Sequence, residues 1–293
     1  MKKVGVVGIP GGWSTERLLD AVEAKTGFRC LIDMADVRLD LDTNKAFCKD
    51  VELTALDAII VKKIAPTYSP DALDRMEILR FLYDLGLPVF SNPHSMFRLI
   101  DRLSCTAALR SAGIPMPATV ITESIQEAAA TVERFGKAIF KPLYSSKARG
   151  MMVIEPGSEM VEAIEDFKNN GNRVMYIQQM VSHAGKLIDL GVSYMGGEYL
   201  GTYARQGSGD SWDTTTRTGG KYVSYKPSDE ILALADKAQS LFDMAFTCVD
   251  VVETSQGAQV FEVSAFGGFR GLLESDNIDV ASMYVDHVLE KIA

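Results

Sequence analysis

The chain has 293 residues, room for two or three compact units, and its composition of 47% hydrophobic and 24% charged residues excludes global disorder and fibrous architecture. Thirty basic and 39 acidic side chains leave a net charge of −9, which argues against bulk binding to nucleic acid or an anionic membrane. No apolar run approaches the roughly 20 residues that span a bilayer: the apolar stretch after Met1-Lys2-Lys3 stops at Pro10-Gly11-Gly12, so it reads as a first strand and not a leader.

The first ninety or so residues alternate strand and helix. Residues 4–7 form a short apolar strand. Ser14 is placed to cap a helix to about Lys25. Strands follow at 30–33 and 57–61, the second apolar enough to be buried on both faces. Ser69-Pro70 opens a helix to about Leu85, Gly86 ends it, and residues 88–91 give a fourth strand. This alternation predicts a parallel sheet. One helix is expected from about Pro93 to Ser111, terminated by the Gly113-Ile114-Pro115-Met116-Pro117 run.

From there the grammar changes to α+β. Strands are expected at 119–121, 137–141, 151–154 and 173–181, with helices at 125–135 and 159–167. Strands 188–195 and 199–205 meet at Gly196-Gly197, a hairpin signal. Residues 206–221 form a polar loop too long for a plain connection. A helix at 229–245 precedes a second hairpin, 247–253 and 258–264, and a final helix covers 279–292. Four cysteines (Cys30, Cys48, Cys105, Cys248) and three histidines (His94, His183, His287) are scattered without zinc spacing, which suits free thiols in a reducing cytoplasm.

The second hairpin is the most informative element. With Ser255-Gln256-Gly257 as a three-residue loop, Asp250 falls opposite Glu262, and Ser264 shares their face. Opposed carboxylates repel, and a hard cation such as Mg²⁺ relieves that by binding one or two carboxylates together with substrate phosphates. A solvated acidic face is the alternative. Lys141 ends an apolar strand, and the loop after it holds Ser145, Ser146, Lys147, Arg149 and Gly150, a composition suited either to a polyphosphate or to an exposed hairpin tip. It is not a P-loop, because no Gly-Lys-Ser/Thr stands at the required spacing. The 206–221 stretch, with Arg205, Arg217 and Lys221, reads as a cationic lid or a plain surface loop.

Taken in order, these features resemble the ATP-grasp superfamily, and within it the RimK-like carboxylate–amine ligases. Ser91-Asn92-Pro93, Asp101-Arg102, Gly113-Ile114-Pro115, Phe140-Lys141-Pro142-Leu143 and Gln178-Gln179-Met180-Val181 look like successive segments of that family. The resemblance implies an N-terminal parallel-sheet pre-ATP-grasp domain (1–92), a linking helix (93–117), a small ATP-grasp lobe (118–181) and a C-terminal lobe with the metal site (182–293). It implies ATP bound by Arg102, Lys141, Ser145, Ser146, Lys147, Gln178, Gln179, Met180, Val181 and Asp189, the hinge segment 178–181 meeting adenine. Lys141 and Arg205 would be catalytic. Asp250, Glu262 and Ser264 would hold Mg²⁺, with Mn²⁺ as a substitute. Arg217, Gly219 and Gly220 would belong to the lid, and Arg270 is a candidate for a substrate carboxylate. The expected partners are small-molecule or peptide carboxylate and amine substrates, with no nucleic acid or membrane, in a homo-oligomer (dimer or tetramer). The reaction implied is ADP-forming ligation through an acyl phosphate.

Four positions depart from the family. Arg102 stands for its usual Lys, the 145–150 loop is poor in Gly, Gly191 replaces an Arg, and Ser264 replaces an Asn. The run Ser264-Ala265-Phe266-Gly267-Gly268-Phe269-Arg270 looks like a divergent branch, the ATP-grasp enzyme of the GAK gene system. The rival readings are another ligase of the superfamily, D-alanine–D-alanine-like or carboxylase-like, and a catalytically weakened nucleotide-binding regulator or scaffold.

Overall fold

In the computed structural model, residues 1–69, 71–182, 187–207 and 212–293 are described. Pro70, His183, the 208–211 part of the lid and the side chain of Arg217 lie outside them. The N-terminal sheet is parallel, ordered β2 (Leu31–Ile32), β1 (Val4–Val7), β6 (Ala58–Val61), β7 (Val89–Phe90). It matches the expected alternation, with α1 (Trp13–Thr26) and α2 (Asp71–Asp84) as crossovers. β1 and β6 are buried on both faces. Val4, Val6 and Ile60 join Leu18, Leu19 and Val22 of α1 in one core, and Val7, Ile59 and Val61 join Met76 and Leu79 of α2 in another. A small antiparallel sheet that sequence reasoning missed, β3 (Val37–Asp40), β4 (Lys45–Cys48) and β5 (Val51–Glu52), is inserted between β2 and β6. Its strands are short and interleaved with charges, which hides their alternation.

The expected single helix at 93–111 is two, α3 (Pro93–Ile100) and α4 (Arg102–Ser111). Asp101 between them is extended, at φ −85° and ψ 114°, and its carboxylate accepts from Leu103 N–H as the cap of α4. The break frees Arg102 N–H to bond Leu143 O across the cleft. Ser14 is not the cap of α1 either: Gly12 holds that position and has no side chain to offer.

The middle sheet is antiparallel, built from β8 (Thr119–Thr122), β9 (Ala138–Lys141), β10 (Met152–Ile154) and β11 (Met175–Gln179) in the order β10-β9-β11-β8. One face is covered by α5 (Ile125–Phe135) and α6 (Met160–Asn169), where Phe140 meets Phe167 edge-on at 5.4 Å. The third sheet has the order β14-β13-β12-β15-β16, from β12 (Ile188–Met195), β13 (Glu198–Gln206), β14 (Lys221–Ser224), β15 (Phe246–Thr254) and β16 (Gly257–Val263). α7 (Asp229–Gln239) packs Ile231, Ala235 and Ala238 against Val249, Val251 and Val260. It ends six residues earlier than expected, and Phe242 and Met244 reach the core from the turn that follows. Two elements were not foreseen, β14 and α8 (Arg270–Asp276). The last helix, α9 (Val280–Lys291), returns to α1, tied by Lys25 and Asp286 at 2.7 Å. Among the described residues no helix is long and apolar enough to cross a membrane. All four cysteines are free and buried.

Candidate active site

The second hairpin places Asp250 opposite Glu262, as expected, but by a different route. The turn is two residues, Ser255-Gln256, with Thr254 paired to Gly257, and that register alone would set Asp250 against Phe261. A β-bulge takes up Phe261 between the Val251–Val260 and Asp250–Glu262 pairs and restores the alignment of the two acids.

Each acid has an arginine partner, one from the same sheet and one from a helix. Arg205 of β13 meets Asp250 at 2.9 Å, and Arg102 at the start of α4 meets Glu262 at 2.9 Å. Burial pushes the Asp250 carboxyl up to about 6, Arg205 opposes the rise, and Glu262 adds to it. Burial works against the charge of Arg205, and Asp250 overrides it, leaving the guanidinium well above its ordinary pKa. Arg205 Nε is nevertheless buried with no hydrogen-bond partner among the described residues, and so is Ser145 Oγ. Buried donors without acceptors are costly; Ser145 belongs to the expected ATP-binding set and Arg205 to the expected catalytic pair.

Lys141 is the end of β9 and is buried. Its ammonium donates to Gln178 Oε1 at 2.5 Å and lies 5.1 Å from the Phe261 ring, so the bulge residue forms part of its wall. Gln178 Nε2 in turn donates to Thr119 Oγ1 at 3.1 Å and to Tyr176 OH at 3.2 Å, and Tyr176 OH pairs with Thr106 of α4 at 3.0 Å. Burial and then the Arg102 charge push Lys141 down to about 7, with Glu262, Asp189 and Asp250 pulling the other way. The side chain of Gln178 therefore orients Lys141, a role its place in the predicted hinge did not suggest. The N–H groups of Gln179 and Met180 bond Ala118 O and Lys137 O within the sheet, at 2.8 and 3.0 Å.

A cleft of about 100 Å³ opens beside these groups, lined by Arg102, Ser145, Ser146, Glu262, Ser264, Tyr68 and Phe266 among others. Arg102 is fixed by its Nε bond to Pro142 O at 3.1 Å as well as by Glu262. The loop after Lys141 is poor in Gly yet adopts the backbone that Gly favours: Lys147, Ala148 and Gly150 have φ of 58°, 54° and 67°. Lys147 is exposed on it.

Asp189 stands across β12 and β13 from Arg205 and accepts from Thr214 Oγ1 at 2.5 Å, which anchors the described part of the lid. Gly220 is needed there, since a Cβ on it would lie 2.2 Å from Thr214 O; Gly219 has a left-handed φ of 91°. Gly191, the missing arginine of the family pattern, has its own reason. A Cβ on Gly191 would lie 2.3 Å from the ring of Tyr203, and one on Gly271 would lie 2.4 Å from the same ring. Tyr203 packs against both glycines and is buried. Arg270 does not line the cleft: its guanidinium stacks on Trp13 at 4.8 Å, pairs with Glu274 at 3.3 Å and is about half exposed.

Asp250, Glu262 and Ser264 offer only hard oxygen donors, and among the described residues no cluster of three or more His, Cys, Asp or Glu forms a closed metal cage. Two opposed carboxylates plus a hydroxyl fit Mg²⁺ bound together with phosphates rather than by protein alone.

The RimK-like ATP-grasp domain family matches residues 100–288, most of the chain, and the chain belongs to that family. It is an ATP-grasp ligase of the class that joins a carboxylate to an amine and releases ADP. Among its relatives, the tetrahydromethanopterin:alpha-L-glutamate ligase of Methanosarcina acetivorans is 23% identical over 322 residues, covering 98% of this chain and 99% of that one. That of Methanocaldococcus jannaschii is 27% identical over 226 residues, 76% of this chain and 75% of that one. The fold is shared with the ATP-grasp ligase PsnB, solved with a phosphomimetic variant of its minimal precursor, Mg and ADP, at a TM-score of 0.77 and 16% identity over 100% of this chain and 99% of that chain. It is shared too with D-alanyl-alanine synthetase A of Vibrio cholerae, at 0.76 and 14% over 99% and 98%.

Proposed function

We propose that the cleft lined by Arg102 and Glu262, with Lys141, Arg205 and Asp250 beside it, binds the triphosphate of ATP and activates a substrate carboxylate for attack by an amine. The observation that supports this most is the convergence of two arginines and one buried lysine on a register-aligned pair of acids, with Arg205 Nε and Ser145 Oγ buried and without acceptors among the described residues. Asp250, Glu262 and Ser264 would hold Mg²⁺, whose chemistry is to neutralise phosphate charge. Lys141 and Arg205 stabilise the charge on the transferred group; Ser145, Ser146 and Lys147 line the phosphates. Met180 and Val181, just beyond the end of β11, are placed to meet the base, since Gln178 and Gln179 are paired within the sheet. Asp189, through Thr214, seats the lid with Gly219 and Gly220 over the reacting atoms, which keeps water from the acyl phosphate.

A carboxylate oxygen bonds to the γ-phosphorus and the bond to the ADP oxygen breaks. The amine nitrogen then bonds to the acyl carbon, the acyl carbon–oxygen bond breaks, phosphate leaves and the amine loses a proton to solvent. One carboxylate oxygen must therefore end in phosphate. A panel of ¹⁸O-labelled acids with amines, L-glutamate included, tests this. Amine-dependent ADP release with one ¹⁸O in phosphate is expected. ADP release with unlabelled phosphate refutes the acyl-phosphate path.

A further inference from the structure

Lys62 follows directly after β6, at the carboxyl end of the parallel sheet, where open α/β sheets place ligands. Its backbone N–H bonds Val7 O, so the ends of β1 and β6 and the loops leaving them share one rim. The side chain is 5% exposed. Among the described residues its ammonium touches one acceptor, Gly267 O, and one ring face, Phe269 at 4.2 Å. The charges near it are cationic, Lys63 and Lys147, with the Cys248 thiol as the other titratable neighbour; burial and the two lysines push Lys62 down to about 7. An ammonium can donate three bonds, and a buried cation normally has a carboxylate. Its carbonyl partner belongs to the 264–269 segment, which leaves the hairpin that carries Glu262 and Ser264. Phe266 of that segment packs on Tyr68, with ring centroids 5.9 Å apart, and both rings line the cleft.

We propose that Lys62 is a specificity-determining residue of the ligase: it binds a carboxylate of the substrate that takes no part in the reaction, with Lys63 reinforcing the field at the rim. This rests on the ligase reading. The sequence gives little hint of it, because Lys62-Lys63 after an apolar strand looks like an exposed strand end. Trapped between Phe269 and Gly267, the cation is in place before substrate arrives, and an anion completes its coordination.

The test uses the full chain with Mg²⁺ and ATP, and compares L-glutamate with L-glutamine and with L-glutamate α-amide in phosphate release, the remaining L-amino acids serving as further probes. In the wild type one of the two carboxamides is expected to lose about tenfold or more in kcat/KM. Lys62→Met should lose a similar factor on the carboxylate substrate, mainly in KM, and no longer tell acid from amide, with ADP affinity unchanged. Lys62→Arg should keep the discrimination. Lys62→Met should also leave Tm equal or higher without substrate, since it replaces an unpaired buried charge by an apolar side chain of similar length. A variant that keeps wild-type KM and discrimination, or a fall of Tm with no change in selectivity, overturns the assignment and makes Lys62 a structural residue. So does a wild type that binds ADP and Mg²⁺ but responds to no amino acid. Failure to bind ADP with Mg²⁺ at all would instead count against the ligase reading itself.

Discussion

Replacing Gln178 tests whether Lys141 is a phosphate ligand held in place by its neighbour. Gln178→Leu keeps the volume and removes the acceptor 2.5 Å from the ammonium, together with the donor to Thr119 and Tyr176. A hydrogen bond to a charged group contributes about 1.5–3 kcal/mol, or roughly 10- to 100-fold in an equilibrium constant. Burial already pushes Lys141 down to about 7, so losing its acceptor drives it further toward the neutral amine at physiological pH. Phosphates bind the ammonium form. Affinity for a non-hydrolysable ATP analogue should therefore fall as pH rises above about 7 in the wild type, with proton uptake on binding. In Gln178→Leu it should be about 10- to 100-fold weaker at pH 8, with the fall displaced to lower pH. Gln178→Glu should displace it to higher pH, because a carboxylate holds the proton on Lys141. Calorimetry from pH 6 to 9 in buffers of different ionisation enthalpy reads affinity and proton uptake together. Equal affinity and an equal pH slope in Gln178→Leu and wild type would refute the role given to the pair.

Three further outcomes are expected. Arg205→Ala and Asp250→Asn should each lower ADP production by about 10²–10³, the usual effect of deleting one preorganised electrostatic partner; normal turnover in either removes that residue from the mechanism. Gly191→Ala should lower stability by about 1–3 kcal/mol through collision with Tyr203, seen as a drop in Tm, and Tyr203→Ala in the same chain should recover part of it; additive losses would show that the two positions do not meet. Chelation of divalent cations should abolish phosphate release, with Mg²⁺ or Mn²⁺ restoring it. Persistent turnover in excess chelator would remove the metal from the reaction.

The elements that build the site were legible where a single local rule decided them. The buried strand at 58–61, the apolar run ending in Lys141 and the alternation around Asp250 and Glu262 each carry a period or a boundary that tertiary contacts do not override. The rest depends on partners distant in sequence. Nothing near Asp101 announces that its neighbour's N–H is claimed by Leu143, which is what divides the helix. Gln178 looks like any polar strand residue until Lys141 is across the ladder from Tyr176 and Ile139 from Gln178. The absence of an arginine at Gly191 looked like a loss of function in the sequence, and the ring of Tyr203 gives it a packing cause. Arg270 stands close in sequence to the acidic hairpin, and the turn into α8 sets its guanidinium over Trp13.

The bulge at Phe261 has a bearing on how this hairpin tolerates change. Because the offset is taken up beside the acids and not at the tip, the Ser255-Gln256 turn lies outside the segment that keeps Asp250 and Glu262 abreast. Lengthening or reshaping the tip leaves the two carboxyls facing each other, and so does excising Phe261, because the regular ladder then pairs Asp250 with the next residue, Glu262; what excision removes is the ring beside Lys141. The apolar bulge residue thus serves the buried lysine beside the proposed metal site, while the alignment of the two acids is held by the ladder on either side of it.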